Sequence, residues 1–452
     1  MKYVLISICM GMLAGSVLAA GPLVSTPPMG WNSYDSYGTY CHEQACYDNL
    51  DVFVKIFKPV GYEYFVIDGG WYIEYDFQPG TISPVRGKGH SVNMNEQGYF
   101  VPSKCYFPNG LKGITAECHK NGVKFGVHFL RGIPRKAVEL NTPIQGTKYH
   151  AQDIANTNSF CIWNHHTYGV DMSKPGAQEY YDGWIQQLAD WGVDFIKADD
   201  IVTYPAEIEA VQKAIEKCGR SIVLSLSPGS RVLGTEVGLY EKADMLRVTG
   251  DVWDCQDDID MCFDSWLTWQ YVPVREGFWF DMDMIPFGEL RIMTPKRLPG
   301  EWVRKGAHRI DRFSIPQKQT FMTMRAMSAS PLMMGGVLMT LDSNSLELLT
   351  NQKMIACNQN GVMGHLVRNA GGVQYWIVAE AGSNGKKGWI GIFNRTDQLK
   401  PSVSITVGRL GLDTAKTYRF HNIWDNQEVS LQEDTFDIKP NGCIFIQYDQ
   451  VN

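Results

Sequence analysis

Short apolar runs recur along most of the chain, and several of them end directly on acidic side chains. They are rich in Val, Ile, Leu, Phe and Met, which is typical of strands buried on both faces of a parallel sheet. The pattern predicts eight strands, which lie within Thr26–Tyr34, Tyr62–Asp68, Val123–Leu130, Val193–Ile196, Ser221–Ser227, Asp244–Asp251, Phe278–Met284 and Ser330–Gly336.

Segments with helical spacing of apolar residues separate several of these runs. They lie at Glu43–Phe57, Phe107–Lys120, Pro175–Trp191 and Pro205–Gly219. Strands that alternate with helices predict an α/β fold, and eight of them predict a (β/α)8 TIM barrel. A doubly wound open sheet is the alternative. It is disfavoured because no Gly-x-Gly-x-x-Gly sequence follows the first strand.

Two segments depart from this alternation. Arg131–Val170 is polar and weakly periodic, which predicts a long loop on the active face. After Gly361, short β-type runs alternate with Gly, Asn and Asp turns, which predicts an antiparallel β-sandwich. These runs are Gln374–Ala379, Gly388–Phe393, Val403–Val407 and Cys443–Tyr448. We therefore expect a catalytic barrel over 21–360 and a sandwich domain over 361–452.

Residues 1–20 have the pattern of a secretory signal peptide. Lys2 supplies a positive start, Val4–Leu13 is apolar, and Val17–Ala19 offers a small-residue cleavage site. The apolar run is shorter than a transmembrane span, and no other stretch predicts one. We expect export to the periplasm or the medium after cleavage.

Composition narrows the class of protein further. The 452 residues are 44% hydrophobic and 20% charged, which is typical of an ordered globular protein. A net charge of −7 argues against nucleic acid as a partner. Of the 11 cysteines, those outside the signal segment make disulfides an expectation, with Cys41–Cys46 and Cys255–Cys262 as candidates. The sequence contains no Cys-x-x-Cys pair, so it does not predict a structural zinc site.

Two of the predicted strands end in clusters of charged residues. One ends with Lys197, Asp199 and Asp200, and another carries Arg247 and Asp251. Hydrolysis of a glycosidic bond uses two carboxyl groups on opposite sides of the anomeric carbon. Asp199 and Asp251 satisfy this requirement, and Lys197 would keep Asp199 anionic.

A structural ion-pair network at the barrel mouth is the alternative for these carboxylates. Asp68, Asp281 and Asp283 also lie at strand ends, and so many acidic residues in equivalent places disfavour a purely structural role. A metal site is disfavoured too: Asp257–Asp258 lacks calcium-loop spacing, and His165–His166 lies in a polar loop. We expect no metal and no cofactor.

The motifs together resemble glycoside hydrolase family 27, the α-galactosidase and α-N-acetylgalactosaminidase family. They cover essentially the whole mature chain and are Pro28–Ser33, Val66–Asp68, Val193–Asp199, Arg247 with Asp251, Trp279–Met284, Ser330–Met333 and Asn358–Asn360. The resemblance implies a (β/α)8 barrel, a C-terminal antiparallel domain and a retaining mechanism. It implies Asp199 as the nucleophile and Asp251 as the general acid/base. Substrate-binding residues implied in this way are Asp68, Lys197, Arg247 and Asp283.

Several positions differ from those of typical α-galactosidases. Gly69 replaces the second of two consecutive aspartates that hold the 4- and 6-hydroxyls, and Tyr34 replaces a tryptophan. His128 replaces a tyrosine, Ser227 stands where a glutamate is common, and Arg131–Val170 is inserted. We expect Tyr34, His128 and Ser227 to contact substrate. Changes among hydroxyl-reading residues can switch the sugar that is accepted.

The sequence therefore predicts an exported retaining glycosidase that removes α-D-galactosyl residues from oligo- or polysaccharides. The same fold with changed specificity, for β-L-arabinopyranosides or α-1,6-glucan, is one alternative. A non-catalytic carbohydrate-binding protein is another, and it would not need both Asp199 and Asp251. A metal-dependent hydrolase on the same barrel is a third, and it predicts loss of activity with a chelator.

Overall fold

The computed structural model describes residues 22–78, 91–229, 232, 234–293, 307–431 and 434–451. The predicted signal peptide at 1–20 lies outside these residues. Within them, no helix is long and apolar enough to cross a membrane.

Eight parallel strands form the main sheet. Seven lie within the predicted runs, and the fourth begins in its predicted run, Val193–Ile196, and extends beyond it to Asp199. They are β1 (Met29–Asn32), β2 (Tyr64–Ile67), β3 (Lys124–Leu130), β4 (Phe195–Asp199), β5 (Val223–Leu226), β6 (Met245–Arg247), β7 (Trp279–Asp281) and β8 (Leu332–Met334). Strands adjacent in the sequence are neighbours in the sheet, and β8 returns to pair with β1. A parallel bridge between Ile285 and Met334 joins the remaining edges. The predicted (β/α)8 barrel is confirmed.

Alternate residues of each strand pack on opposite sides of the barrel wall. Tyr64 and Val66 of β2 join the cluster of buried side chains inside the barrel, together with Phe195 and Val223. Phe65 of β2 instead faces the larger core formed with the surrounding helices. Both sides are apolar, which explains why the strands appear in the sequence as continuous hydrophobic runs.

Helices cover the outside of the barrel. In the helix Ala177–Asp190, residues three or four positions apart are buried against the strands, including Tyr181, Trp184 and Leu188. The α-helices are Tyr34–Tyr37, Glu43–Val52, Lys112–Lys120, Arg135–Leu140, Ala151–Ile154, Ala177–Asp190, Pro205–Lys217, Val237–Tyr240, Gln256–Trp269, Ile315–Met327, Ser343–Thr350 and Gln352–Gln359. A π-helix, Phe53–Phe57, extends the second of these, and short 3-10 turns complete the connections.

The prediction of a long loop at Arg131–Val170, after β3, is wrong, because this segment has its own secondary structure. Its strands Ile133–Pro134, Thr167–Val170 and Ala155–Phe160 form a three-stranded antiparallel sheet. Ile133–Pro134 and Thr167–Val170 are only two and four residues long, and Ala155–Phe160 is mostly exposed, so their sequence carries little hydrophobic periodicity. Two further antiparallel pairs, Ile73–Glu74 with Ser91–Val92 and Glu289–Leu290 with Arg309–Ile310, lie beside the barrel.

The C-terminal part is antiparallel, as predicted. Its main sheet has the strand order His365–Ala370, Val373–Ala379, Lys387–Asn394, Cys443–Val451, Thr417–Asn422 and Gln427–Val429, and Lys400–Ser404 pairs with Thr435–Ile438. It packs on the barrel through stacked rings of Trp266 and Trp376, whose centroids are 3.7 Å apart. The guanidinium of Arg395 lies 3.5 Å from the Phe263 ring centroid.

The ten cysteines of the described residues are free thiols, so the expected disulfides do not form there. The Cys41 and Cys46 sulfurs are 3.6 Å apart and hydrogen bonded. Cys255 donates to Asp258, and Cys262 is buried in the core.

Candidate active site

A cavity of about 500 Å³ opens at the carboxyl ends of the barrel strands. This is the end at which (β/α)8 barrels place their chemistry. All of the predicted site residues except Ser227 line this cavity: Tyr34, Asp68, His128, Lys197, Asp199, Arg247, Asp251 and Asp283.

Asp199 is the last residue of β4, and its carboxylate is largely buried. His128 Nε2, from β3, lies 3.3 Å from Asp199 Oδ2. Burial would raise the pKa of this carboxyl. The hydrogen bond with His128 and the positive charges of Lys197 and Arg247 outweigh it and hold the pKa well below its ordinary value. Asp199 is therefore anionic at neutral pH.

Lys197 pairs directly with Asp68 rather than with Asp199. Its Nζ lies 2.7 Å from Asp68 Oδ2, which also accepts a hydrogen bond from Asn32 Nδ2 at 2.8 Å. The Gly69 amide donates to Asp68 Oδ1 at 2.7 Å. Burial opposes ionisation of Asp68, but attraction to Lys197 prevails and lowers its pKa. These bonds fix both charges in one orientation.

Arg247, at the end of β6, joins two acidic residues from different loops. Its Nη2 lies 3.0 Å from Asp251 Oδ1, and its Nη1 lies 3.2 Å from Asp283 Oδ1. The Val252 amide donates to Asp283 Oδ2 at 2.8 Å. Asp283 is buried, whereas the Asp251 side chain is 35% exposed and can exchange protons with solvent.

Asp281 does not share this environment, although the sequence grouped it with the other strand-end carboxylates. It is not a lining residue of the cavity; it is buried with Oδ1 3.7 Å from Arg325 Nη2. Its Oδ1 accepts a hydrogen bond from the Asp283 amide. Burial raises the pKa of Asp281 to about 6 despite the charge of Arg325. Its position supports the loop that carries Asp283.

Asp200 points away from its neighbour Asp199. The backbone at Asp200 is left-handed, with φ of 60°, and its Oδ2 lies 2.9 Å from Nη2 of the fully buried Arg131. Arg131 Nη1 also pairs with Glu207 at 2.6 Å. The Arg131 guanidinium lies 3.4 Å from the Tyr204 ring centroid. This network anchors the inserted segment to the barrel.

Ser227 was predicted to bind substrate, but it is buried and is not a lining residue. Its Oγ has no hydrogen-bond partner within the described parts of the chain. The next residue, Pro228, lines the cavity instead and follows a cis peptide bond.

Sequence reasoning did not identify several of the lining residues, among them Asp35, Trp163, Asn164 and Trp253. Asp35 directly follows the Gly-Trp-Asn-Ser-Tyr motif, and Trp253 lies two positions after Asp251, so adjacency to motif residues was the available signal. Trp163 and Asn164 come from the inserted segment and place it at the cavity, the active face on which the sequence located it. Across the described residues, no three His, Cys, Asp or Glu side chains are grouped to hold a metal ion.

Comparison with known proteins identifies the family. A family profile described as alpha galactosidase A matches residues 145–360, and one described as the alpha galactosidase C-terminal β-sandwich domain matches 370–448. The chain is 36% identical to a GH27 β-L-arabinopyranosidase from Geobacillus stearothermophilus, with a TM-score of 0.84, covering 94% of this chain and 97% of that one.

The chain belongs to glycoside hydrolase family 27. A putative α-N-acetylgalactosaminidase from Bacillus halodurans is 32% identical, with a TM-score of 0.79 and coverage of 94% of this chain and 99% of that one. The α-galactosidase of Cyamopsis tetragonoloba is 23% identical over 444 residues, 94% of this chain and 87% of its own. The protein is therefore a glycosidase that hydrolyses O-glycosyl bonds, and the resemblance seen in the sequence is confirmed.

Gly69, identified from the sequence as a difference from typical α-galactosidases, lines the cavity of this glycosidase. A Cβ built on Gly69 would lie 3.4 Å from the His128 ring, and its φ is not in the left-handed region. The backbone therefore tolerates a side chain here, and the sequence leaves the space without one. Residue 69 therefore places no carboxylate in the cavity.

Proposed function

We propose that the protein is a retaining exo-glycosidase that removes a terminal α-D-galactosyl residue or its counterpart without C6, the β-L-arabinopyranosyl residue. The observation that carries this proposal is the pairing of two unlike carboxyl groups on one cavity. Asp199 is buried and held anionic, whereas Asp251 is more exposed and held by Arg247. A retaining glycosidase uses one carboxylate as nucleophile and the other as proton donor.

In the proposed mechanism, Asp199 attacks the anomeric carbon while Asp251 protonates the departing glycosidic oxygen. The bond from the anomeric carbon to that oxygen breaks, and a covalent glycosyl ester forms on Asp199. A water molecule then attacks the same carbon, gives its proton to Asp251 and releases Asp199. Solvent access to Asp251 supports its part in both steps.

The remaining charged side chains are proposed to bind the sugar hydroxyls. Asp68 and Asp283 are acceptors, and Lys197 and Arg247 are donors, all held by mutual hydrogen bonds before any ligand arrives. A site arranged in this way loses little entropy on binding and rejects sugars that leave a buried group unpaired.

Gly69 favours the arabinopyranoside among the two candidates. An aspartate at this position would offer an acceptor for the 6-hydroxyl of galactose, and Gly69 offers none. The Geobacillus relative, a β-L-arabinopyranosidase, is 36% identical to this chain. The α-galactosidase of Cyamopsis tetragonoloba is only 23% identical to it. Galactose could still bind through its other hydroxyls without a contact at C6, so the α-galactoside is the second candidate.

Turnover of four aryl glycosides by purified mature protein tests this proposal: β-L-arabinopyranoside, α-D-galactoside, α-N-acetylgalactosaminide and α-D-glucoside. We expect the arabinopyranoside to have the highest kcat/KM and the α-galactoside the next highest. NMR of the first-formed sugar should show the anomeric configuration of the substrate. Release of the opposite anomer would overturn the retaining mechanism, and preference for the glucoside would overturn the sugar assignment.

A further inference from the structure

Asp35 is a buried acid in the cavity wall that the proposed mechanism does not use. It lies in the short helix Tyr34–Tyr37 and lines the cavity, yet only 1% of the residue is exposed. Its Oδ2 has no hydrogen-bond partner among the described residues. A buried polar atom without a partner is costly, and the cost is largest for an ionised carboxylate, so this position favours the neutral acid.

The backbone around Asp35 is shaped to hold its carboxyl group. A Cβ at Gly335 would lie 2.2 Å from Asp35 Oδ2, so only glycine leaves room for it. The Ser36 amide donates to the Gly335 carbonyl at 2.9 Å, and the Arg291 amide donates to the Asp35 carbonyl at 2.8 Å. The side chain is therefore fixed against the wall rather than free to turn toward solvent.

The charges around Asp35 disfavour its ionised form. Burial raises its pKa well above the ordinary value, the charges of Asp283, Asp251 and Asp68 raise it further, and the charge of Lys197 opposes them. Lys197 is engaged by Asp68, and Arg247 by Asp251 and Asp283. The guanidinium of Arg291 lies beside the Tyr34 ring, 5.9 Å from its centroid.

We propose that Asp35 is a substrate-binding residue held as a neutral carboxylic acid, and that it donates its proton in a hydrogen bond to a hydroxyl oxygen of the bound sugar. The ionised carboxylates of the cavity can only accept hydrogen bonds, so a neutral acid adds a donor on the Tyr34 side. The proposal rests on the proposed function and adds a residue to its sugar site.

Infrared difference spectra of the ligand-free protein and Asp35→Asn, at pH 7, test the protonation state without any substrate. We expect the band lost in the variant to be that of a protonated carboxylic acid. A lost carboxylate band would overturn the proposal. Asp311→Asn is the matched control, because Asp311 is another buried acid but lies outside the cavity, paired with Lys318 at 3.0 Å.

Kinetics of Asp35→Asn and Asp35→Leu test sugar binding. The asparagine keeps a hydrogen-bond donor, so we expect a KM close to the wild-type value. It cannot ionise, so if ionisation of Asp35 lowers kcat/KM of the wild type at high pH, that decrease should be absent in Asp35→Asn. The leucine removes the donor, and we expect KM to rise about tenfold with little change in kcat. Asp311→Asn should leave KM unchanged. An unchanged KM in Asp35→Leu would overturn the binding role.

Protection by free sugar separates this proposal from the proposed function. If the wild-type protein hydrolyses no glycoside, the shift of its melting temperature by L-arabinose or D-galactose remains measurable. A shift that is lost in Asp35→Leu and kept in Asp35→Asn would support the role of Asp35 even then. No shift by either sugar would overturn the sugar-binding part.

Discussion

Lys197 forms its short ion pair with Asp68, at 2.7 Å, although Asp199 is closer to it in the sequence. The pair joins β4 to the end of β2 and lines the cavity. We expect Lys197→Met to lower the free energy of unfolding by about 3–5 kcal/mol, because Asp68 would remain buried and unpaired. Denaturant unfolding measures the change. Adding Asp68→Asn to Lys197→Met should restore part of the stability, because the unpaired charge is removed. If the double variant instead loses the sum of what the two single variants lose, Lys197 and Asp68 are not energetically coupled.

Asp199 and Asp200 are adjacent but have different predicted roles. Asp199→Asn should reduce kcat by about a thousandfold or more with stability retained, since it removes the proposed nucleophile. Asp200→Asn should instead cost about 1–3 kcal/mol of unfolding free energy, because it weakens the pair with buried Arg131. Steady-state kinetics and thermal unfolding of both variants decide the matter. Loss of all turnover in Asp200→Asn with activity kept in Asp199→Asn would reverse our assignment.

Asp281 gives the protein a pH-dependent stability with a definite sign. Its folded pKa is raised to about 6, so its contribution is fully present below the unfolded value near 4 and is lost as pH rises through 6. Asp281→Asn should remove a stability decrease of up to about 3 kcal/mol between pH 4 and 7. Denaturant midpoints across this range, in wild type and variant, measure it. If the midpoints of wild type and variant change with pH in parallel, Asp281 does not titrate between pH 4 and pH 7.

Asp199 has the opposite sign, since its folded pKa is depressed. Its stabilising contribution is present above the unfolded value near 4 and is lost as pH falls toward the folded value. We therefore expect no loss of kcat/KM from protonation of Asp199 between pH 7 and pH 4. The pH profile of kcat/KM checks this expectation. A decrease of kcat/KM below pH 7 that is unchanged when Asp251 is replaced, but moves to a different pH in His128→Asn, would contradict it.

Gly69→Asp should shift the preference from the arabinopyranoside toward the α-galactoside. The backbone accepts a Cβ, with the His128 ring 3.4 Å away, and the new carboxylate would face a 6-hydroxyl. We expect the ratio of the two kcat/KM values to change by at least about tenfold. Gly69→Ala is the control that adds bulk without an acceptor. An equal shift in both variants would assign the effect to space rather than to hydrogen bonding.

Trp163 should contact the part of the substrate that leaves. It lines the cavity from the inserted segment and is 52% exposed, so its ring is available for stacking on a second sugar. We expect Trp163→Ala to raise KM for a disaccharide by about fivefold to tenfold. Ile162→Ala, also exposed but not a lining residue, is the control. A rise in both variants would indicate a disturbed loop.

The alternation of buried strands with amphipathic helices was readable from the sequence, because each strand is apolar on both faces and each helix has one apolar side. The charged residues at the strand ends were also visible, since barrels of this type expose those ends. The inserted segment was not, because its strands, such as Ile133–Pro134, are too short to show a period.

Only the tertiary structure decided which acidic residues face the cavity. Asp200 and Asp283 both have positive φ, yet one turns toward Arg131 and the other toward Arg247. Asp281 and Asp283 are two positions apart, and only Asp283 lines the cavity. Side-chain direction here depends on local backbone turns and on buried partners distant in sequence, such as Gly335 beside Asp35. Residue type and spacing determine the chemistry that is available, whereas packing determines which groups perform it.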